Sequence, residues 1–355
     1  MRSAQPGTLI WARLFAQRVS DPTLFPQATI WQMLYHSRDG AGRDIAVSGY
    51  AVVPKRRAPA SGRPIFAWAH DLVGLGDQCA PSKAIPEHLP VYGRPQVARG
   101  AVLVATDYEG LGTPGDHPYL VGDAEGRGVL DSIRAAANLP DVGSLGDIVI
   151  AGDTEGGSAA LFAAQIARKY APELHISGVI AIAPTAELPT FLTAIAKTPA
   201  HLGIALIAAA GLHAGNPSFD PGSFLTPAAM ADLARVGGEC AAATIARYRT
   251  QPASSVIGRD PNSDRATHPV LVDNSPGSAD PHAPILILQG GRDDEIPVNL
   301  TAQLRTDYCA LHVSVRRIVY PGANHGSVTK AAQPDALRWI TDRYRNQRAP
   351  SDCKR

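Results

Sequence analysis

Short apolar runs that end in turn residues alternate along this chain with stretches whose apolar residues recur at helical spacing. The first two runs, Ile30 to His36 and Ile45 to Pro54, are separated by Asp39, Gly40 and Gly42 and predict a β-hairpin. Further runs lie at Pro64 to His70, Ala101 to Tyr108, Asp147 to Ala151, Ile176 to Ala183, Pro284 to Gln289 and Val313 to Tyr320. They are β-branched and do not alternate, the pattern of strands buried on both faces. Between them, Val121 to Leu139 places Val129, Ile133 and Ala136 or Ala137 on one helical face, and Gly156 to Tyr170 and Pro334 to Arg345 are also helical. Alternation of strand and helix predicts an α/β chain with a mostly parallel central sheet flanked by helices.

One segment breaks the rhythm. From about Pro184 to Asp260 the chain reads as short helices and loops, clearest at Ala228 to Arg235 and Cys240 to Arg249, with no convincing strand. A helical insertion between two core strands is expected to act as a cap over the active-site end of the sheet. The division that follows is a core of residues 1–184 and 261–355, with an inserted helical cap of residues 185–260.

Composition narrows the function classes. The 355 residues are 45% hydrophobic and 18% charged, as in an ordinary globular protein, and the length suits one large domain with an insertion. A net charge of +1 gives no reason to expect nucleic acid or an anionic membrane as a partner. The basic runs Lys55 to Arg57 and Lys354 to Arg355 read as solvated surface. The most apolar stretch, Leu202 to Leu212, is too short to span a bilayer and is bracketed by His201 and His213. Residues Met1 to Ile10 carry no apolar run of signal-peptide length, so a cytoplasmic chain is expected, or a secreted one whose leader has been removed. Cys79, Cys240, Cys309 and Cys353 contain no CxxC pair, which argues against zinc; no metal or cofactor is expected. From the residues alone, two disulfides have three pairings, or the thiols stay free.

The chemistry concentrates at Asp147 to Gly157. An apolar strand enters Gly152, Asp153, Thr154, Glu155 and Gly156, and a small-residue helix leaves it. A strained strand-to-helix turn needs small residues two before and two after its apex, which is the physical content of the G-x-S-x-G nucleophile elbow. The apex here is Thr154. The plainer alternative is a glycine-rich turn without chemistry, and the downstream partners argue against it. Asp293 follows a buried strand and stands four residues before Pro297; His325 lies in the turn Pro321 to Gly326. Nucleophile, acid, histidine is the chain order of α/β-hydrolases. Asp293 would orient the imidazole, and His325 would take the proton of the nucleophile. Asp294 and Glu295 are the alternatives to Asp293. The oxyanion hole would use the backbone N–H of Glu155 and an N–H of the loop Trp68 to Gly74, at Asp71. His70, Asp153 and Tyr108 are further acid–base or pocket candidates.

The chain resembles the secretory-lipase family of α/β-hydrolases, especially its actinobacterial members, over nearly its whole length. Ala67 to His70, Cys79 to Ser82, Ala105 to Gly115, His117 to Gly122 and Asp335 to Trp339 carry the resemblance. It implies an esterase or lipase acting on acyl esters of a hydrophobic small molecule under a helical cap. It also implies disulfides joining Cys79 with Cys240 and Cys309 with Cys353. The departures are Thr154 in place of the family's serine, Asp71 after His70 in place of the glycine usual in bacterial relatives, and Asp153 and Glu155 beside the apex.

Three functions follow from this pattern. One is ester hydrolysis with Thr154 as nucleophile, since a hydroxyl paired with a base retains nucleophilicity. Another is a non-hydrolytic biosynthetic reaction, of cyclase, lyase or isomerase type, with His325 and acids such as Asp71 or Glu155 as proton-transfer groups. The last is ligand binding without catalysis. Added negative charge beside the site of oxyanion formation favours the second, because it opposes the roughly 3–4 kcal/mol that a hole donor supplies.

Overall fold

The computed structural model describes residues 4–15 and 25–353; Lys354 and Arg355 lie outside them. Nine strands form one sheet: β1 (Leu9–Leu14), β2 (Ala28–Arg38), β3 (Asp44–Pro54), β4 (Arg63–Ala69), β5 (Val102–Thr106), β6 (Leu145–Asp153), β7 (Ile176–Ile182), β8 (Ile285–Gly290) and β9 (Val315–Tyr320). Their order is β1-β2-β3-β5-β4-β6-β7-β8-β9. The first four in that order pair antiparallel, and pairing from β5 through β9 is parallel. This is the mostly parallel sheet that the strand–helix alternation predicts, in the α/β-hydrolase arrangement that the elbow, the chain order of its partners and the family resemblance imply. The hairpin of β2 and β3 runs in unbroken register from Ala28 opposite Pro54 to Arg38 opposite Asp44.

The absence of alternation in the central strands has a direct cause. Phe66, Trp68, Val149, Ala151, Ile180 and Ile182 belong to the apolar layer on one face of the sheet. Ile65, Ala67, Ile148, Ile150, Val179 and Ala181 belong to the layer on the other. Both layers are covered. Helices α1 (Gly93–Arg99), α2 (Gly122–Ala137) and α3 (Glu155–Tyr170) follow the first strands. Along α2 and α3, Val129, Ile133, Ala136, Ala160, Ala163 and Ala164 are fully buried in the second layer. Gly126 lets the two helices close up, because a Cβ there would lie 2.9 Å from the Ala163 nitrogen.

Between β7 and β8 the chain is helical: α4 (Leu188–Ala196), α5 (Leu202–Gly215), α6 (Pro227–Gly237), α7 (Ala241–Tyr248), α8 (Ala253–Val256) and α9 (Thr267–Asp273). Helices therefore continue past residue 260. The apolar stretch singled out in the sequence is α5, buried from Leu202 to Ala209. Among the described residues no single helix is long and apolar enough to cross a membrane, and α4 and α5 meet at a bend of 114°. The core closes with α10 (Val298–Ala310), α11 (His325–Ala331) and α12 (Gln333–Arg343).

Cys79 is bonded to Cys240, tying a core loop to the insertion, and Cys309 to Cys353, tying α10 to the C-terminal segment. These are the pairings the resemblance implies. Around the first disulfide the loop after β4 is hydrogen-bonded to residues 239–241: the Leu75 N–H donates to the Glu239 oxygen at 3.1 Å, and the Ala241 N–H to the Val73 oxygen at 2.9 Å.

Candidate active site

β6 passes into α3 through Thr154, whose φ of 52° and ψ of −107° lie outside the regions a β-branched residue normally adopts. The turn is held from all sides. The Thr154 N–H donates to the Ile182 oxygen at 2.8 Å, and its carbonyl accepts from Ser158 and Thr185, each at 3.2 Å. A Cβ on Gly152 would lie 2.0 Å from the Gly156 oxygen, and one on Gly156 would lie 2.0 Å from the Ala69 oxygen. The two glycines are thus dictated by backbone approaching backbone.

The loops after β4, β6, β8 and β9 meet at this apex, at the carboxyl edge of the parallel strands. Thr154 Oγ1 is 2.9 Å from His325 Nε2. His325 Nδ1 donates to the Asp293 carboxylate, 3.0 Å from Oδ2 and 3.1 Å from Oδ1. Asp293, whose side chain is fully buried, also accepts from Gln289 Nε2 at 3.0 Å and from the backbone N–H groups of Glu295 and Ile296 at 3.1 and 2.8 Å. Those donors aim it at the imidazole. His325 opens α11, and a reciprocal capping box between Asn324 and Ser327 fixes the helix start.

More carboxylates surround this trio. Asp153 Oδ1 accepts from the Thr154 hydroxyl at 3.4 Å, and its Oδ2 accepts from Thr329 Oγ1. Glu295 Oε1 is 3.6 Å from His325 Nε2, so the sequence alternative to Asp293 lies on the other nitrogen of the same ring. Asp71 is exposed in the loop after β4; its Oδ1 accepts from the Leu72 N–H at 2.6 Å, and its carboxylate reaches the Thr154 hydroxyl. Loss of water pushes Asp71 up to about 6 against the pull of His325, and pushes Asp153 up to about 7 with the Asp71 charge adding to it. Burial alone would lower His325. The hydrogen bond that His325 donates to Asp293 and the charges of Glu295, Asp293 and Asp71 outweigh it and raise the imidazole to about 10.

Neither the Asp71 nor the Glu155 backbone N–H donates to a protein acceptor among the described residues. Behind Asp71, His70 is buried; its Nδ1 donates to the Asp71 oxygen at 2.7 Å and its ring packs 4.4 Å from that of Tyr108. The Tyr108 hydroxyl donates to the His70 carbonyl at 3.1 Å. His70 and Tyr108 therefore shape the loop and do not touch the Thr154 hydroxyl.

Glu155 departs from the sequence-based picture of three acids around the nucleophile. It occupies the first turn of α3, and its buried carboxyl faces Glu125 and His117, not Thr154. His117 Nδ1 donates to the Glu109 oxygen at 2.8 Å, and burial lowers this ring to about 4. Its Nε2 therefore carries a lone pair, 3.3 Å from Glu155 Oε1, and accepts from a protonated Glu155. Burial also raises Glu125 and Glu155 well above the ordinary 4.5, which supplies the proton between those two carboxyls. Above pH 4.5 the native state holds a proton that the unfolded chain has released, so this group's contribution to stability falls as pH rises. Glu155→Gln keeps a donor toward His117 and an acceptor toward Glu125 and removes the titration. The variant is expected to melt above the native chain at neutral pH, with the gap closing toward pH 4.5, as followed by thermal denaturation across that range.

Comparison with known proteins bears on this constellation. The model of the family described as secretory lipase matches residues 90–352. A probable inactive lipase of Mycobacterium tuberculosis is 28% identical, the match covering 96% of this chain and 79% of that one. Lipase A of Arthroderma benhamiae is 25% identical, covering 99% and 78%. Among solved structures, Candida antarctica lipase A superimposes with a TM-score of 0.83 at 19% identity, over 99% of this chain and 84% of that one. The rice cell wall degrading esterase LipA of Xanthomonas oryzae does so at 0.78 and 16% identity, over 97% and 100%.

Proposed function

The chain belongs to the secretory-lipase family, and on that premise we propose that it is a divergent member that performs proton transfer on a hydrophobic small molecule, without an acyl-enzyme intermediate. The carrying observation is the set of carboxylates, Asp71, Asp153 and Glu295, gathered on the Thr154–His325 pair. Acyl transfer needs a neutral imidazole to take the hydroxyl proton and a hole that stabilises an oxyanion. Here the imidazole is held as its cation at neutral pH. A carboxylate at Asp71 opposes the oxyanion that the Asp71 and Glu155 N–H groups would otherwise bind.

The same arrangement suits acid–base work. His325 carries a proton on Nε2, at the Thr154 hydroxyl, while Asp71 and Asp153 titrate near neutrality and so match the pKa that general bases need. Groups whose environments push their proton affinities apart are the natural acid and base of one step. Cyclisation, elimination and isomerisation are the reactions such a pair serves. The two disulfides and the secretory family support an oxidising, extracytoplasmic setting. The helical insertion would act as the cap.

A second reading has its own observation. The relay from Thr154 to His325 to Asp293 is complete at 2.9 and 3.0 Å, and among the described residues the Asp71 and Glu155 N–H groups meet no protein acceptor. That favours slow ester hydrolysis with Thr154 as nucleophile. Treatment with a fluorophosphonate followed by intact-protein mass spectrometry separates the two. No adduct at Thr154 is expected; stoichiometric labelling of Thr154, with ester turnover abolished by Thr154→Ala, would establish the hydrolase.

A further inference from the structure

We propose that Glu239 and Arg247, in the helical insertion, are positioning residues that act through Asp71. They hold the corner between α6 and α7 against the loop after β4, and so set how the Asp71 carboxylate meets the Thr154 hydroxyl. The inference rests on the proton-transfer reading only in taking the Thr154–His325 centre as the working site.

The backbone of the loop that carries Asp71 is paired with the insertion. From Asp71 to Gly76, the N–H groups that find a backbone acceptor among the described residues are those of Leu75 and Gly76. Both donate to the Glu239 oxygen, at 3.1 and 3.2 Å. In return the Ala241 N–H donates to the Val73 oxygen at 2.9 Å, and Gln78 Nε2 donates to the Gly238 oxygen at 2.8 Å. The Cys79–Cys240 bond closes the same seam. Backbone lies directly on backbone here: a Cβ on Gly74, whose φ is 111°, would sit 2.4 Å from the Ala241 nitrogen and 2.6 Å from the Glu239 oxygen. A shift of the corner is therefore passed to the loop.

The corner itself is fixed by charge. Glu239 Oε1 accepts from Arg235 Nε at 3.0 Å, Oε2 accepts from Thr244 Oγ1 at 3.2 Å, and both oxygens accept from Arg247 Nη2. Arg247 Nη1 also donates to Asp232 at 3.2 Å. One guanidinium thus joins α6, the corner and α7. A lone exposed ion pair contributes little, whereas a guanidinium shared by several acceptors fixes direction. At the far end of the loop, the Asp71 carboxylate reaches Thr154 and its charge faces His325. The other groups that face this imidazole are Asp293 and Glu295 from the loop after β8, Asp153 from the end of β6, and His201 from the start of α5. Of all these, only Asp71 and His201 can follow the insertion.

A double-mutant cycle on the full chain, with the His325 imidazole titrated by NMR, separates positioning from plain structural support. Arg247→Met keeps the apolar stem and removes the charge. It is expected to lower the proton affinity of His325 by at least about threefold, the direction that withdrawing a carboxylate gives. In an Asp71→Asn background it is expected to change nothing further, and Arg247→Lys is expected to restore most of the native value. Cys79→Ala with Cys240→Ala opens the same seam from its other side and is expected to repeat the result, whether or not Arg247→Met folds. A His325 titration unchanged in the folded seam variants overturns the proposal. So does a shift that persists in Asp71→Asn, as movement of His201 would give, or an Asp71→Asn that leaves His325 unaltered. Labelling of Thr154 by a fluorophosphonate sinks the proton-transfer reading and leaves this cycle to stand or fall on its own titration.

Discussion

Thr154→Ser combined with Asp71→Asn is expected to turn this chain into a measurable esterase, with hydrolysis of short chromogenic esters rising roughly a hundredfold to a thousandfold over the native protein. Each change removes a named obstacle. Serine lacks the methyl group that restricts χ1 at an apex already held at φ 52°. Asparagine keeps the acceptor for the Leu72 N–H at 2.6 Å and deletes the charge facing the oxyanion. It also withdraws one of the carboxylates that hold His325 protonated, moving the imidazole toward the neutral form that a general base requires. His325→Ala in the doubly substituted background should return the rate to the native level. An unchanged rate in the double variant would mean that charge and the extra methyl are not what limits hydrolysis.

Gly156→Ala is expected to cost at least about 3 kcal/mol and to leave little soluble folded protein. The added Cβ would sit 2.0 Å from the Ala69 oxygen and 2.6 Å from the His70 oxygen, both backbone atoms where β4 passes into the loop that follows it. Neither can move alone. Ala69 is registered against Gly152 in the sheet, and the His70 carbonyl accepts from Tyr108. Thermal denaturation measures the loss, and a midpoint equal to that of the native chain would show that the elbow is looser than these distances imply.

What the sequence revealed, and what it hid, follows from where each signal resides. The central strands were legible because burial on both faces removes polar residues from runs such as Val179 to Ile182. The elbow and its partners were legible because glycine spacing and chain order are local properties of the sequence. β1 carries no such signal: as an edge strand it exposes Ile10, Trp11 and Leu14 by 43, 37 and 58%, so its apolar residues follow no inward face. α10 was also missed, since its buried side chains include two polar types, Thr301 and Tyr308, beside Leu300 and Leu304.

Side-chain direction at the site was the least legible feature. Glu155 is adjacent to Thr154 in sequence, yet the first turn of α3 carries its carboxyl toward Glu125 and His117, residues 30 and 38 positions away. Glu295 reads as a rejected alternative to Asp293 and takes a place at the opposite nitrogen of the same imidazole. His201 gave no motif, because only the packing of the insertion brings it near His325.

The protonation of His325 is the most direct test of an acid-ringed site that does not form an acyl-enzyme. Its imidazole resonances, assigned by their loss in His325→Ala, should be followed by NMR from acidic to alkaline pH. The imidazolium is expected to persist far above the ordinary 6.5, titrating toward about 10 in the native chain and lower in Glu295→Gln. A His325 that loses its proton near or below 6.5 would be a competent base for Thr154, and the proton-transfer account would be wrong.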